Sequence, residues 1–178
     1  TPPTVSCKPA TVYLDATGNV SITTQPQATT KCLGQQATFT VSATGGTGYQ
    51  WKKNGVNING QTAATLTISN IALTDTGTYT CEVSGGSCGA ISTNGAYLTV
   101  SAGPAVSINP ASVTVCAGSA ATLTASGGTG YNWSNNGGTN ATATFSPSGN
   151  TTYTVTATDA VGCTATAAKQ VNVTPLPQ

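Results

Sequence analysis

The sequence predicts an all-β protein built as two small sandwiches in tandem behind an N-terminal β-hairpin extension, and three observations carry that prediction. Apolar and polar residues alternate at period 2 in one short segment after another, as where Leu66 and Ile68 stand between Thr65, Thr67 and Ser69, and a helical period appears nowhere. The chain also repeats itself: Cys32-x-Gly34 followed by ATFTVSATGGTGYQWKKNG returns as Cys116-x-Gly118 followed by ATLTASGGTGYNWSNNG. Its 178 residues suit two units of about 80 to 100 residues each better than one.

Taken in order, residues 1–24 alternate Val12 and Leu14, turn through Asp15 to Asn19 and resume with Val20 and Ile22. This is a hairpin that either extends the first sandwich or is left from a preceding module. Gln25-Pro26-Gln27 punctuates the chain, because proline cannot donate to a central ladder. The first sandwich is expected over 25–101, with strands at Ala37 to Ala43, Tyr49 to Lys53, Ala64 to Ser69, Gly77 to Ser84 and Ala90 to Val100. Phe39, Val41, Trp51, Leu66, Ile68, Tyr79, Cys81 and Leu98 should be its core. Ser101 to Pro104 forms the boundary, and the second sandwich follows over 105–178 around Leu123, Trp133, Phe145, Tyr153, Val155 and Val171.

Asp75-x-Gly77-x-Tyr79-x-Cys81, with Trp51 about one strand-pair upstream, resembles the corner and buried tryptophan of the immunoglobulin superfamily. The resemblance implies that the five strands are B, C, E, F and G. It further implies that Gly77 relieves the backbone at the corner and that the Tyr79 hydroxyl bonds back to the turn. In the second copy Val155 replaces Cys81, and Pro147-Ser148-Gly149-Asn150 replaces the Asp-x-Gly corner. That copy is similar to a looser immunoglobulin-like or polycystic-kidney-disease-like sandwich. The whole, running from ITTQP to TYTVTATDAVGCTATA, resembles tandem modules of secreted Bacteroidetes surface proteins and adhesins, many of them type IX secretion cargo. The resemblance implies extracellular display.

Six cysteines and no histidine point to disulfides formed in an oxidising compartment, since no cysteine pair has the close spacing of a zinc site. Cys81 holds the F-strand position of an immunoglobulin bridge, but its B-strand counterpart is Val41. Repetition pairs Cys32 with Cys88 and Cys116 with Cys163, leaving Cys7 and Cys81 over. Geometry objects, because the members of each pair fall at opposite ends of an F strand some 23 to 27 Å long, whereas a disulfide needs Cα atoms within about 7 Å. Either the segment between the first strands wanders to the F–G hairpin, or Cys32 bonds Cys163 across two modules stacked end to end. The intramodule scheme is the simpler.

Little in the chain suggests catalysis. Without histidine the Ser-His-Asp and Cys-His arrangements are excluded. Of the four carboxylates, Asp75 belongs to the corner and Asp159 to a turn, while Asp15 and Glu82 have no spacing that would face another across a cleft. No cofactor or metal is expected. Charged residues are only 5% of the chain, so the surface is neutral and hydroxyl-rich and cannot bind nucleic acid through its phosphates. No apolar run is long enough to enter a membrane. Ligand stacking, if any, would use the aromatics Tyr13, Tyr49, Tyr97 or Tyr131, with Tyr49 and Tyr131 beside the GGTGY loops. The sequence therefore favours a non-enzymatic, extracellular spacer or stalk whose partners are the neighbouring domains of a larger protein. The alternative is an adhesin or carbohydrate-binding module meeting surface polysaccharide or another protein.

Overall fold

A computed structural model of the chain describes residues 20–85 and 89–175, and these fall into two compact units divided between Val100 and Ser101. The first contains β1 (Ser21–Thr24), β2 (Thr29–Cys32), β3 (Ala37–Thr40), β4 (Ser42–Thr44), β5 (Gly48–Lys53), β6 (Val56–Asn57), β7 (Thr65–Ile68), β8 (Gly77–Ser84), β9 (Ala90–Ser92) and β10 (Ala96–Ser101). Its larger sheet runs β2-β10-β8-β5-β6 with β9 also on β8, and β3 with β7 and β1 with β4 make up the rest. A 3-10 turn, Leu73–Asp75, leads into β8.

Two strands expected to be continuous are divided, each for a local reason. The Ala37 to Ala43 strand breaks at Val41, which keeps its side chain in the core at 1% exposure and gives its N–H to the Ala64 carbonyl at 3.0 Å. The chain thereby passes from pairing with β7 to pairing with β1. The Ala90 to Val100 strand breaks at Thr93. There the Cys81 N–H donates to the Thr93 hydroxyl at 2.9 Å and the Thr93 N–H donates to the Cys81 carbonyl at 2.9 Å. Register slips by one residue across this point, from Glu82↔Ser92 to Tyr79↔Ala96, which is a β-bulge. Of the N-terminal hairpin, residues 1–19 lie outside the described residues, and Ser21–Thr24 pairs with β4 as a strand of the first unit.

The second unit contains β11 (Ser107–Asn109), β12 (Val113–Cys116), β13 (Ala121–Ser126), β14 (Gly130–Trp133), β15 (Thr142–Phe145), β16 (Thr151–Thr158) and β17 (Thr164–Thr174). They form two sheets, β11-β13-β15 and β12-β17-β16-β14. β12 runs parallel to β17 and every other pair is antiparallel.

Strand registers confirm the repeat residue by residue. Trp51 lies opposite Cys81 on β8, and Trp133 lies opposite Val155 on β16. Each indole N–H donates to a backbone carbonyl, of Ala63 at 2.9 Å and of Asn140 at 3.0 Å, so the rings can be buried without an orphaned donor. The copies differ in which strand supplies the ring beside the F-strand tyrosine. In the first unit Phe39 of β3 stacks on Tyr79 with centroids 4.9 Å apart. In the second Phe145 of β15 stacks on Tyr153 at 3.8 Å, and Leu123 and Ala143 take the places of Phe39 and Leu66. Each of these large side chains contributes roughly 1.5 to 3 kcal/mol on burial.

Candidate functional site

Three local constructions hold the chemistry-bearing residues: the corner, the loops at one sandwich end, and the cysteines. At the corner, the Tyr79 hydroxyl donates to the Asp75 carbonyl at 2.8 Å. The Asp75 carboxylate accepts the Ala72 N–H at 2.8 Å and lies 3.5 Å from the Lys53 ammonium. That ammonium also donates to the Thr74 carbonyl. Burial, with the Asp75 charge adding to it, pushes the Tyr79 hydroxyl up to about 12, so it stays a donor. Gly77 relieves the backbone at the corner, since its φ of 157° is one that residues with a side chain rarely adopt, and it also leaves space. A Cβ there would stand 2.8 Å from the Asn54 carboxamide oxygen, which accepts the Thr78 N–H at 2.9 Å. The corner is a complete framework element.

The GGTGY loops, which the sequence offers as a binding end, are strapped to the F strand. Thr47 and Thr129 donate their N–H groups to the carbonyls of Ser84 and Thr158, each at 2.8 Å. A Cβ on Gly46 or Gly128 would come within 2.7 Å of Val83 or 2.8 Å of Ala157, so glycine allows the close approach. Tyr49 packs half-buried against the first core. Tyr131 packs on the second, its hydroxyl donating to the Gly128 carbonyl at 2.8 Å. Neither offers an open ring. Tyr97, on β10, is 50% exposed, and Tyr13 lies outside the described residues.

The carboxylates remain apart. Glu82 pairs with Lys52 at 2.8 Å. Asp159 organises the turn after β16, accepting the N–H groups of Val161 at 2.9 Å and Cys163 at 2.8 Å and the Ser101 hydroxyl at 3.1 Å. Burial works against its charge, but the N–H groups of Cys163 and Val161, with Ser101 and Gly162, outweigh it and hold the carboxyl below its usual range. Asp15 lies outside the described residues, among which no three metal-ligating side chains gather. None of the helical residues described could cross a membrane.

The cysteines depart from the simplest expectation. Cys32 and Cys163 each take part in a disulfide, while Cys81 and Cys116 are free thiols. The expected Cys116 to Cys163 pairing is therefore overturned, and the reason lies in the strands. Cys116 stands opposite Thr174 at one end of β17, whereas Cys163 directly precedes Thr164 at the other. Ten residues of strand separate the two ends by roughly 33 Å, far beyond the reach of a disulfide. Cys81 is fully buried opposite Trp51, in the core that Val41 shares. Burial, with Glu82 adding and the Gln50 backbone opposing, pushes its thiol up. Cys7 and Cys88 lie outside the described residues.

Comparison with known proteins agrees with this geometry. Residues 20–85 match the immunoglobulin domain family. No curated protein sequence matches the chain. Among solved structures, a titin I-band fragment superposes with a TM-score of 0.53 at 20% identity, covering 88% of this chain and 66% of that one. The Rst D1-D2 structure does so with 0.51 at 18% identity, covering 88% and 100%. By sequence in its first unit and by fold in both, the chain is a tandem of immunoglobulin-like β-sandwiches.

Proposed function

We propose that the chain is a non-catalytic, extracellular spacer segment of a larger cell-surface or secreted protein, holding a distal adhesive or catalytic domain at a distance. One observation carries this reading. Among the described residues, the tryptophans, the corner tyrosine, Tyr131 and the carboxylates Asp75 and Asp159 are engaged in framework hydrogen bonds, and Tyr49 packs against the first core. Oxidised cysteines accord with export, and the sequence resemblance to tandem modules of Bacteroidetes surface proteins, including polycystic-kidney-disease-like ones, supports display through a type IX route.

Strand order supplies a mechanical rationale. β12 and β17 are parallel and paired over Val113↔Val171 to Cys116↔Thr174, so tension between the start of β12 and the end of β17 drives them in opposite directions along a shared axis. The ladder bonds are loaded together rather than one at a time. Pulling single molecules tests this. The second unit should give way in one event, at a force lowered by proline at whichever of Thr114 and Val115 gives its N–H to β17, since adjacent strand residues point their N–H groups to opposite sides and proline removes a ladder donor. Gradual extension at low force in the parent chain would remove the mechanical argument.

A carbohydrate-binding reading rests on Tyr97, the aromatic ring exposed among the described residues. Polysaccharide captured on a glycan array by the parent chain and lost by Tyr97→Ala would replace the spacer reading.

A further inference from the structure

An asparagine followed by glycine can close on itself, because no Cβ on the second residue hinders its peptide nitrogen from reaching the side-chain carbonyl. The chain has four such pairs, Asn54-Gly55, Asn59-Gly60, Asn94-Gly95 and Asn136-Gly137, and the fold treats them differently. Asn54 is held, its carboxamide oxygen accepting the Thr78 N–H at 2.9 Å and its own N–H donating to the Thr78 carbonyl at 2.8 Å. At Asn136 the attacking nitrogen is engaged, since the Gly137 N–H donates to the Ser134 carbonyl at 3.1 Å. A Cβ on Gly137 would also stand 2.5 Å from the Phe145 ring, so the backbone has no room to turn. Gly95 is wedged against Thr78, whose methyl a Cβ would approach to 2.6 Å, and the Asn94 N–H is tied to the Gln25 side chain at 2.8 Å.

Asn59-Gly60 lacks all of these restraints. Both residues are exposed, and a Cβ on Gly60 would meet nothing within 4 Å. Neither the Asn59 carboxamide nor the Gly60 N–H has a hydrogen-bond partner among the described residues. The two bonds that shape the turn run from the Gln61 N–H to the Ile58 carbonyl and from the Thr62 N–H to the Gly60 carbonyl. Each is 3.2 Å long, at the outer limit for an N–H donor. We propose that Asn59 is a self-modification site, converting through a succinimide to aspartate and isoaspartate while the fold protects the other three pairs.

Solvent hydroxide takes the proton of the Gly60 N–H, and the nitrogen lone pair bonds to the Asn59 Cγ. The bond from Cγ to the carboxamide nitrogen breaks, and ammonia leaves with a proton drawn from water, which returns the hydroxide. Water then opens the ring. Addition at Cγ restores the main chain with aspartate, and addition at the main-chain carbonyl gives isoaspartate, whose backbone runs through the former side chain. Nothing is oxidised or reduced, and water is the co-reactant. The consequence follows from what this turn holds. The Ile58 N–H donates to the Trp51 carbonyl at 2.8 Å and the Trp51 N–H donates to the Gln61 carbonyl at 3.0 Å, so the two arms of the turn clasp the main chain of the buried tryptophan. Isoaspartate adds a carbon to the chain between those arms and a negative charge where the amide was neutral. Ageing at Asn59 thereby loosens the edge of β5.

The test holds the whole chain at mildly alkaline pH, folded in buffer or unfolded in urea, and digests it with pepsin in acid, where the reaction stops. Fragmentation of the peptides locates each converted asparagine, and enzymatic methyl transfer from S-adenosylmethionine counts isoaspartate. In the folded chain Asn59 should convert at least about tenfold faster than Asn54, Asn94 or Asn136, because each of those must first open locally. In urea the four rates should fall within about threefold of one another, the fold no longer distinguishing them. The isolated isoaspartate form should exchange the Trp51 amide hydrogen at least about tenfold faster than the parent chain, with Trp133 unchanged. A comparable rate at any other pair in the folded chain, an equal lead for Asn59 in urea, or an unchanged Trp51 amide would each overturn the proposal.

Discussion

Removing one hydroxyl from each copy separates the corner's hydrogen bond from its ring packing. In Tyr79→Phe the ring remains stacked on Phe39, 4.9 Å away, and the loss is confined to the 2.8 Å bond to the Asp75 carbonyl. A neutral hydrogen bond contributes about 0.5 to 1.5 kcal/mol net, and stranding its buried partner costs about 1 to 3. Asp75 is half-exposed, so water can reach its carbonyl, and the lower part of that range applies. About 1 to 2 kcal/mol is therefore expected, all of it in the first unit. Tyr153 keeps the same ring position on Phe145, but no hydrogen bond from its hydroxyl is found among the described residues, so Tyr153→Phe should change the second unit by less than about 0.5 kcal/mol. Amide hydrogen exchange, read on peptides covering Gly77–Ser84 and Thr151–Thr158, reports each unit separately. A loss of 1.4 kcal/mol appears as about tenfold faster exchange where global opening dominates. Equal effects in the two units, or a larger one for Tyr153→Phe, would refute the assignment of the corner's stability to the hydroxyl.

Other perturbations probe the remaining constructions. Cys81→Val should leave the melting temperature unchanged or raise it, because Val155 fills the same place opposite Trp133. Cys81→Ser should cost about 1 to 3 kcal/mol, because the Glu82 carbonyl that the thiol meets at 3.8 Å is too far for a hydroxyl hydrogen bond. Because the folded Asp159 carboxyl sits below its usual range, its contribution is fully present above the unfolded value and is lost as pH falls through the lowered folded one. Acid titration of the second unit followed by circular dichroism should show that loss, and Asp159→Asn should flatten it. Gly77→Ala drives a Cβ to within 2.8 Å of Asn54 and should cost about 1 to 3 kcal/mol in the first unit. The double variant with Asn54→Ala should recover part of it in urea unfolding. Alkylation in denaturant before non-reducing peptide mapping should label Cys81 and Cys116 and leave Cys32 and Cys163 unlabelled, and alkylation of the folded chain should label Cys116 but not the buried Cys81.

What could be read from sequence was what neighbouring residues decide. The corner is written within seven residues, Asp75 to Cys81, and period-2 alternation with the Cys-x-Gly repeat was enough to give two sandwiches, with β8 at its expected bounds. The bulge at Thr93 was hidden, since a threonine whose hydroxyl takes a backbone N–H is indistinguishable from an ordinary strand former. Strapping of the GGTGY loops depended on Val83 and Ala157 being small enough, some thirty residues away. The fate of Cys116 turned on which end of an eleven-residue strand it faced, and strand length emerges only with the register.

The exchange of aromatic position between β3 and β15 bears on how neighbouring repeats avoid one another while folding. Adjacent modules of similar sequence can trade strands and become trapped in swapped structures. Were the first unit to capture β15 in place of β7, Phe145 would arrive beside Phe39, and two rings would compete for the face of Tyr79. Were the second unit to capture β7, Leu66 and Ile68 would meet Leu123 and Ala121, and Tyr153 would lose its stacking partner. One hybrid is overfilled and the other underfilled, so the divergence of two otherwise matching cores acts as a proofreading code during folding.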